Sequence, residues 1–219
     1  MTQIITEIRS IVENPKLVHK RRRQITETAT KLFATKGFHS TTIRDIADTA
    51  KVSIGLIYQY VEDKDDLLFL ALAEAINSYS REIPKALDGI TDPLERFRAC
   101  FTAYCIVMNK NHSAAVLGYR ESKSLSPERL KIIKMGELET NKILEETIAD
   151  CVKAGVFKDL DVNLFNYTCI CLAHSWPLSA WRLSPQRSIE EYIDGLLDIL
   201  LPSALASPAN EAGQQKTTA

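Results

Sequence analysis

The chain has 219 residues, 45% of them hydrophobic and 25% charged, with a formal net charge of −1. That is the composition of a soluble globular protein with apolar material enough for a core without disulfides, arranged as one medium domain or as a small and a larger one. No apolar run reaches the length of a bilayer span, the first residues lack the basic-then-apolar order of a secretory signal, and five cysteines without a CxxC pair read as reduced thiols in a cytoplasmic protein. The charge is uneven. Residues 1–60 hold ten Lys/Arg against five Asp/Glu, and the rest seventeen against twenty-three, as expected when one end of a molecule meets phosphates.

Residues 1–15 are mixed in character and end in Asn14-Pro15; they read as a loose arm or a short extra helix. From Val18 to Thr35 the apolar positions Ile25, Ala29, Leu32 and Phe33 recur at helical spacing, behind a cationic opening of Lys20, Arg21, Arg22 and Arg23. Gly37 supplies the stop. Thr42 with Asp45 three residues on fits a capping box for a short helix, Ile43 to Ala50. Lys51-Val-Ser53 is then a tight turn, and Ser53 caps a third helix through Tyr60. Asp63 with Asp66 opens a fourth running to about Arg81, closed by Pro84 and Gly89.

Beyond that point the pattern stays helical, near 92–110, 113–123, 127–154, 161–182 and 188–201. Asp92-Pro93, Ser126-Pro127, Asp161 and Ser188 serve as start signals, and Gly155 ends the long helix. Pro177 should kink its helix or free a carbonyl near residue 173. Residues 203–219 are small, polar and Pro-containing, and read as disordered. Alternation of period two is essentially absent, so the fold class is all-α.

Two short helices joined by a three-to-four-residue turn have the geometry of a helix-turn-helix. Ile43, Ile46 and Ala47 pack the first of them, and Val52, Leu56 and Ile57 anchor the second. Gly55 costs the second helix roughly 1 kcal/mol of propensity, which makes sense where backbone or DNA must approach closely.

The run Lys31-Leu-Phe-Ala-Thr-Lys-Gly-Phe38, Thr41-Thr-Ile-Arg-Asp-Ile-Ala47, Val52-Ser-Ile-Gly-Leu-Ile-Tyr58 and Tyr60-Val-Glu-Asp-Lys-Asp-Asp-Leu67 resembles the TetR family of bacterial regulators. Val61 stands where that family usually has Phe, and Ile57 where Leu is commoner. The resemblance implies an all-α homodimer with a three-helix DNA-binding domain and a larger helical domain that binds an effector and dimerises. The corresponding division is an arm over 1–17, a helix-turn-helix domain over 18–63, an effector and dimerisation domain over 64–202, and a tail over 203–219.

Carried over by the resemblance, Thr42 and Arg44 touch phosphate or base edges, while Ser53, Ile54, Gly55, Gln59 and Tyr60 face the major groove of a palindromic double-stranded operator. Tyr58 bonds a phosphate, Lys64 holds backbone at the start of the fourth helix, and Arg21, Arg22 and Arg23 add phosphate contacts. The chemistry agrees for Arg44, suited to phosphate or guanine, and for Gln59, which pairs bidentately with adenine.

Candidates for an effector pocket among the helices of 92–182 are Phe97, Phe101, Tyr104, Cys105, Met108, His112, Leu117, Tyr119, Arg120, Phe165, Cys169, His174 and Trp176. Aromatics at helical spacing are more often core than ligand box. Arg120 and His112, cations close to an apolar region, suit a carboxylate or a thioester-linked phosphate. The segment Tyr119 to Pro127 is similar to acyl-CoA and fatty-acid-responsive members of the family. The last two helices are apolar on several sides, and the resemblance places the dimer face there, on Trp181, Tyr192, Ile193, Leu196, Leu197 and Leu200.

An enzyme is the main rival class. The chain has no GxSxG, Walker or dinucleotide-binding motif, and its four histidines lack metal-ligand spacing, so neither a catalytic site, a metal nor a cofactor is expected. A helical adaptor binding only protein is the other rival; it would not need Arg44 or the Tyr58–Lys64 cluster.

Overall fold

The computed structural model describes residue 8 and residues 10–206. In chain order it has α1 (Pro15–Lys36), α2 (Ile43–Ala50), α3 (Ile54–Tyr58), α4 (Lys64–Ala86), α5 (Pro93–Lys110), α6 (His112–Glu121), a 3-10 turn over Ser122–Ser124, α7 (Pro127–Lys153), α8 (Val162–Leu178), α9 (Ala180–Leu183) and α10 (Ile189–Ala204). The described residues contain no strand beyond an isolated antiparallel bridge between Phe157 and Leu205.

Most boundaries follow from local chemistry. The side chains of Asn14, Ser53, Asp63, Asp92, Ser126 and Asp161 each accept a main-chain N–H in the first turn of the helix that follows. Thr42 with Asp45 and Ser188 with Glu191 complete reciprocal capping boxes. Lys51 takes a left-handed conformation (φ 56°) to turn the chain from α2 into α3.

The observed boundaries differ from expectation at several places. Asn14-Pro15 is a cap followed by proline at the first helical position, so α1 starts three residues before Val18. The preceding stretch is not loose where it is described: Ile8 is buried, and the main-chain N–H of Ile11 donates to the Gln59 carbonyl at 3.0 Å. α4 runs through Pro84 to Ala86, and Gly89 (φ 73°) turns the chain beyond it. Pro177 lies one residue before the end of α8, and Ser179 separates that helix from α9.

The expected tail begins later than residue 203. α10 continues to Ala204, and Lys158 N–H donates to the Ala204 carbonyl at 2.9 Å while Ala206 N–H donates to that of Val156 at 3.0 Å. The remainder of that expected tail, 207–219, lies outside the described residues, as does most of 1–9.

Apolar side chains gather into two cores joined along α4. The first takes Ile25, Ala29 and Phe33 of α1, Phe38, Ile46, Ala47, Ile57 and the α4 segment Leu67 to Ala73. It also takes Leu117, Leu125 and Ile133, which reach in from α6, the loop after it and α7. The second core holds Tyr79 and Ile83 of α4 with side chains of α5, α7, α8 and α10, around the fully buried Phe97, Phe101 and Tyr104.

Candidate nucleic-acid interface and effector site

Ile57 is fully buried and fixes α3 in the first core beside α2, while Val52, Ile54 and Leu56 are half-buried on the same core. This leaves Ser53, Gly55, Tyr58 and Gln59 exposed on the opposite side, with Thr42 and Arg44 exposed at the start of α2. Ser53 Oγ accepts from Leu56 N–H at 3.1 Å. Thr42 Oγ1 accepts from Asp45 N–H at 3.1 Å, and Lys36 Nζ lies 2.7 Å from Asp45 Oδ2. The Lys36 hydrogen bond, helped by those from Thr42, holds the Asp45 carboxyl below the usual carboxylate range. Beyond its chain neighbours and its own helix backbone, no heavy atom lies within 4 Å of a Cβ built on Gly55.

Three residues expected at DNA are engaged within the protein. Tyr60 is 3% exposed, because the chain turns after Tyr58 and carries its ring into the core. Arg22 donates through Nε to the Tyr60 carbonyl at 2.9 Å and through Nη2 to the Ile8 carbonyl at 2.6 Å, joining α1 to the segment that follows α3. Lys64 Nζ donates to the carbonyls of Phe38 and Thr41 at 2.7 and 3.1 Å and sits 4.4 Å over the Phe38 ring, so it braces the α1–α2 loop. Arg21 and Arg23 lie toward solvent and bond along their own helix, to Gln24 at 2.9 Å and Glu27 at 3.0 Å.

The second core contains a chain of polar side chains. Tyr104 O–H donates to Asn141 Oδ1 at 3.0 Å, so the 3.1 Å contact between Tyr104 and His174 is donated by Nε2–H. Nδ1 of His174 then accepts from Tyr119 O–H at 2.6 Å. Burial lowers the His174 pKa to about 4, which keeps the ring neutral in this arrangement. Asn166 Nδ2 donates to the Asn141 carbonyl at 3.3 Å, and its buried Oδ1 has no partner.

Phe101, Tyr104, Met108, Phe165, Cys169, His174 and Trp176 do converge in this core. Two other expected pocket residues belong elsewhere. Leu117 is buried in the first core, because the end of α6 packs on α1 and α4, and Arg120 is exposed beside a cleft of about 270 Å³ against Phe33 to Gly37. His112 stands half-buried at the start of α6. A wider cleft of about 750 Å³, bordered by Leu87, Ile90, Arg96, Lys142 and Ile143, lies between the α4–α5 turn and α7, away from the expected residues.

Sequence reasoning missed Asn141 and Asn166. The signal was a polar residue on an otherwise apolar helical face, as for Asn166 among Cys169, Ile170 and Ala173. Burial also pushes the thiols of Cys100 and Cys169 up to about 12, which leaves them protonated and inert.

The residues expected at a dimer face divide sharply. Tyr192, Ile193, Leu196, Leu197 and Leu200 are all buried within the chain's own second core, and Tyr192 O–H donates to the Leu172 carbonyl at 2.7 Å. α10 is amphipathic and turns its apolar face inward, which leaves these five unavailable to a partner. Trp181 is 80% exposed and Ile199 68%. Leu164, Tyr167, Cys171 and Leu178, spaced by three, four and seven, form an exposed stripe along α8.

Residues 25–71 match the bacterial regulatory proteins of the tetR family, and residues 91–201 match the tetracyclin repressor-like C-terminal domain. The HTH-type transcriptional regulator HbdR of Aromatoleum sp. (strain CIB) is 43% identical over 196 residues, covering 89% of this chain and 86% of HbdR. The HTH-type transcriptional repressor KstR2 of Mycolicibacterium smegmatis (strain ATCC 700084 / mc(2)155) is 28% identical over 154 residues, 69% of this chain and 75% of KstR2. Among solved structures, AibR in complex with isovaleryl coenzyme A and operator DNA shares the fold, with a TM-score of 0.71 and 21% identity over 83% of this chain and 98% of AibR. These relatives are regulators of transcription and not enzymes. The chain belongs to the TetR family of bacterial regulatory proteins and is a helix-turn-helix, DNA-binding transcriptional regulator.

Proposed function

We propose that the protein is a homodimeric repressor that leaves a palindromic operator when a small hydrophobic or acyl-CoA-type effector enters its second core. The observation that carries the DNA half of this reading is the open face of Ser53, Gly55, Tyr58 and Gln59 on α3, with Arg44 beside it. A Cβ at Gly55 would meet no other part of the protein, so the space beside it is open to an approaching DNA backbone. Gln59 suits adenine and Arg44 guanine or phosphate. The dimer half is supported by the apolar stripe of α8 together with Trp181 and Ile199, because a two-fold axis through it would match a palindrome.

The effector half is supported by a chain of hydrogen bonds that runs from the exposed Tyr119 through the buried His174 and Tyr104 to the half-buried Asn141, and by the unsatisfied Asn166 Oδ1. Buried polar groups left short of partners suit a ligand that carries its own. AibR, which shares this fold, was crystallised with isovaleryl coenzyme A, and an acyl thioester, part apolar and part polar, matches the mixture of side chains gathered there. Effector binding favours a dimer whose recognition helices no longer match half-sites about one helical turn apart. The test is binding to the DNA upstream of the protein's own gene, with and without a series of acyl-CoA thioesters. Salt-sensitive binding that random DNA does not match, lost on adding a thioester, is expected. Binding that no thioester weakens would overturn the effector assignment, and equal binding to random DNA the operator assignment.

A further inference from the structure

Asp66 is 1% exposed, at the third position of α4. A carboxylate so deeply buried requires charge partners and hydrogen bonds. It has both, and they come from three parts of the chain. Its Oδ2 accepts from the N–H of Glu62 at 2.6 Å, within the turn that leads out of the recognition helix. The Arg22 guanidinium of α1, already bonded to the carbonyls of Tyr60 and Ile8, feels the Asp66 charge. The third partner is Arg129 at the start of α7, which ion-pairs with Oδ1 and lies over the Phe69 ring at 5.4 Å.

Arg129 belongs to a segment that reaches both functional regions. At its α6 end, Tyr119 bonds His174 in the polar chain of the second core, and Gly118 stands 3.5 Å, measured from an added Cβ, from Leu72 of α4. Between and beyond these points Leu117, Leu125 and Ile133 enter the first core, and Glu121 Oε2 stands 3.4 Å from His39 Nε2. A displacement of Tyr119 therefore bears on a segment whose attachments to the first core include the Arg129–Asp66 pair.

We infer that Asp66 is the coupling residue of this regulator: its ion pair with Arg129 transmits the position of the α6–α7 segment to the turn that ends the recognition helix. Withdrawal of Arg129 leaves a buried carboxylate with half its counter-charge, and the 60–66 turn cannot hold its geometry unchanged. This rests on the reading of α3 as the DNA reader and of the second core as the effector site. Asp66 and Arg129 touch neither ligand and act by positioning.

Amide hydrogen exchange on the full chain, without DNA or effector, tests the coupling. Arg129→Gln should raise exchange over residues 59–68 about tenfold while α10 keeps its protection. Asp66→Asn, which retains an oxygen for the Glu62 N–H, should give a similar rise, and the double variant no more than either alone. Tyr119→Phe, which removes the bond to His174, should also raise exchange over 59–68, but not in the Arg129→Gln background. Unchanged exchange in that segment, additive effects of the pair, or a Tyr119→Phe effect that persists without Arg129 would each overturn the inference. A global rise with loss of α10 protection in both single variants would also overturn it, by showing a general role in folding. Failure of every thioester to release DNA would remove the effector assignment and leave these exchange results unaffected.

Discussion

Arg22 Nε donates to the main-chain carbonyl of Tyr60 at 2.9 Å, across 38 residues of sequence, and so fastens the first helix to the turn that follows the recognition helix. Both residues sit within the basic, DNA-directed region, yet their contact fixes the orientation of α3 and leaves neither free to read bases. Arg44, exposed on α2, has the opposite character. Arg22→Ala should therefore cost about 2–3 kcal/mol of folding stability through the loss of two charge-assisted hydrogen bonds. Arg44→Ala should change stability by no more than about 0.5 kcal/mol while lowering the salt dependence of DNA binding by about one phosphate contact. Urea denaturation and binding measured over a salt series separate the two.

Gly55 offers a test in which stability and function move oppositely. A Cβ there meets nothing in the protein, so Gly55→Ala should stabilise the fold by about 1 kcal/mol through helix propensity and the unfolded state. If DNA occupies the space, operator affinity falls at the same time. Thermal melts and anisotropy titrations on one preparation give both numbers, and unchanged affinity would place the DNA elsewhere.

Charge on the exposed stripe should separate subunits. Trp181→Glu and Ile199→Glu each put a carboxylate in place of an exposed apolar side chain, on α9 and on the outer side of α10. Sedimentation is expected to show monomers for both, with helical content retained. Dimers that persist in both variants would move the subunit contact to another surface.

The His174 ring makes stability depend on pH. Its folded-state pKa lies near 4 against 6.5 for the free side chain, so the unfolded chain binds the extra proton first as pH falls. Stability from this group is complete above about pH 6.5 and declines toward pH 4, by roughly 3 kcal/mol at most. Denaturant titrations at pH 7, 6, 5 and 4.5 should trace that decline, and His174→Gln should flatten it.

Much of the fold was legible because helix starts are local. Thr42 with Asp45, Asp92-Pro93, Ser126-Pro127, Asp161 and Ser188 each act over three or four residues, and all cap helices as read. Asn14-Pro15 carries the same signal and was read as the end of an arm. Pro84 and Pro177 fall in the last turns of α4 and α8, where each frees a carbonyl four residues back but little helix follows for it to bend. The family resemblance was equally legible between Lys31 and Leu67. Individual roles were not, because they depend on distant partners: Arg22 on Ile8 and Tyr60, Lys64 on the Phe38 and Thr41 carbonyls, Arg120 on the end of α1. Spacing alone could not separate the inward face of α10 from the outward stripe of α8, since Ile189, Ile193, Leu196 and Leu200 repeat on one side just as Leu164, Tyr167, Cys171 and Leu178 do.

Leu117, Leu125 and Ile133 complete the first core from outside the helix-turn-helix sequence. A fragment that ends after α4 would lose three interior side chains and the cover that Gly118 gives Leu72. The DNA reader is thus not an independent module. Chimaeras that graft it onto another regulator's body would have to carry residues 117–133 with it, or supply matching apolar side chains there, to fold at all.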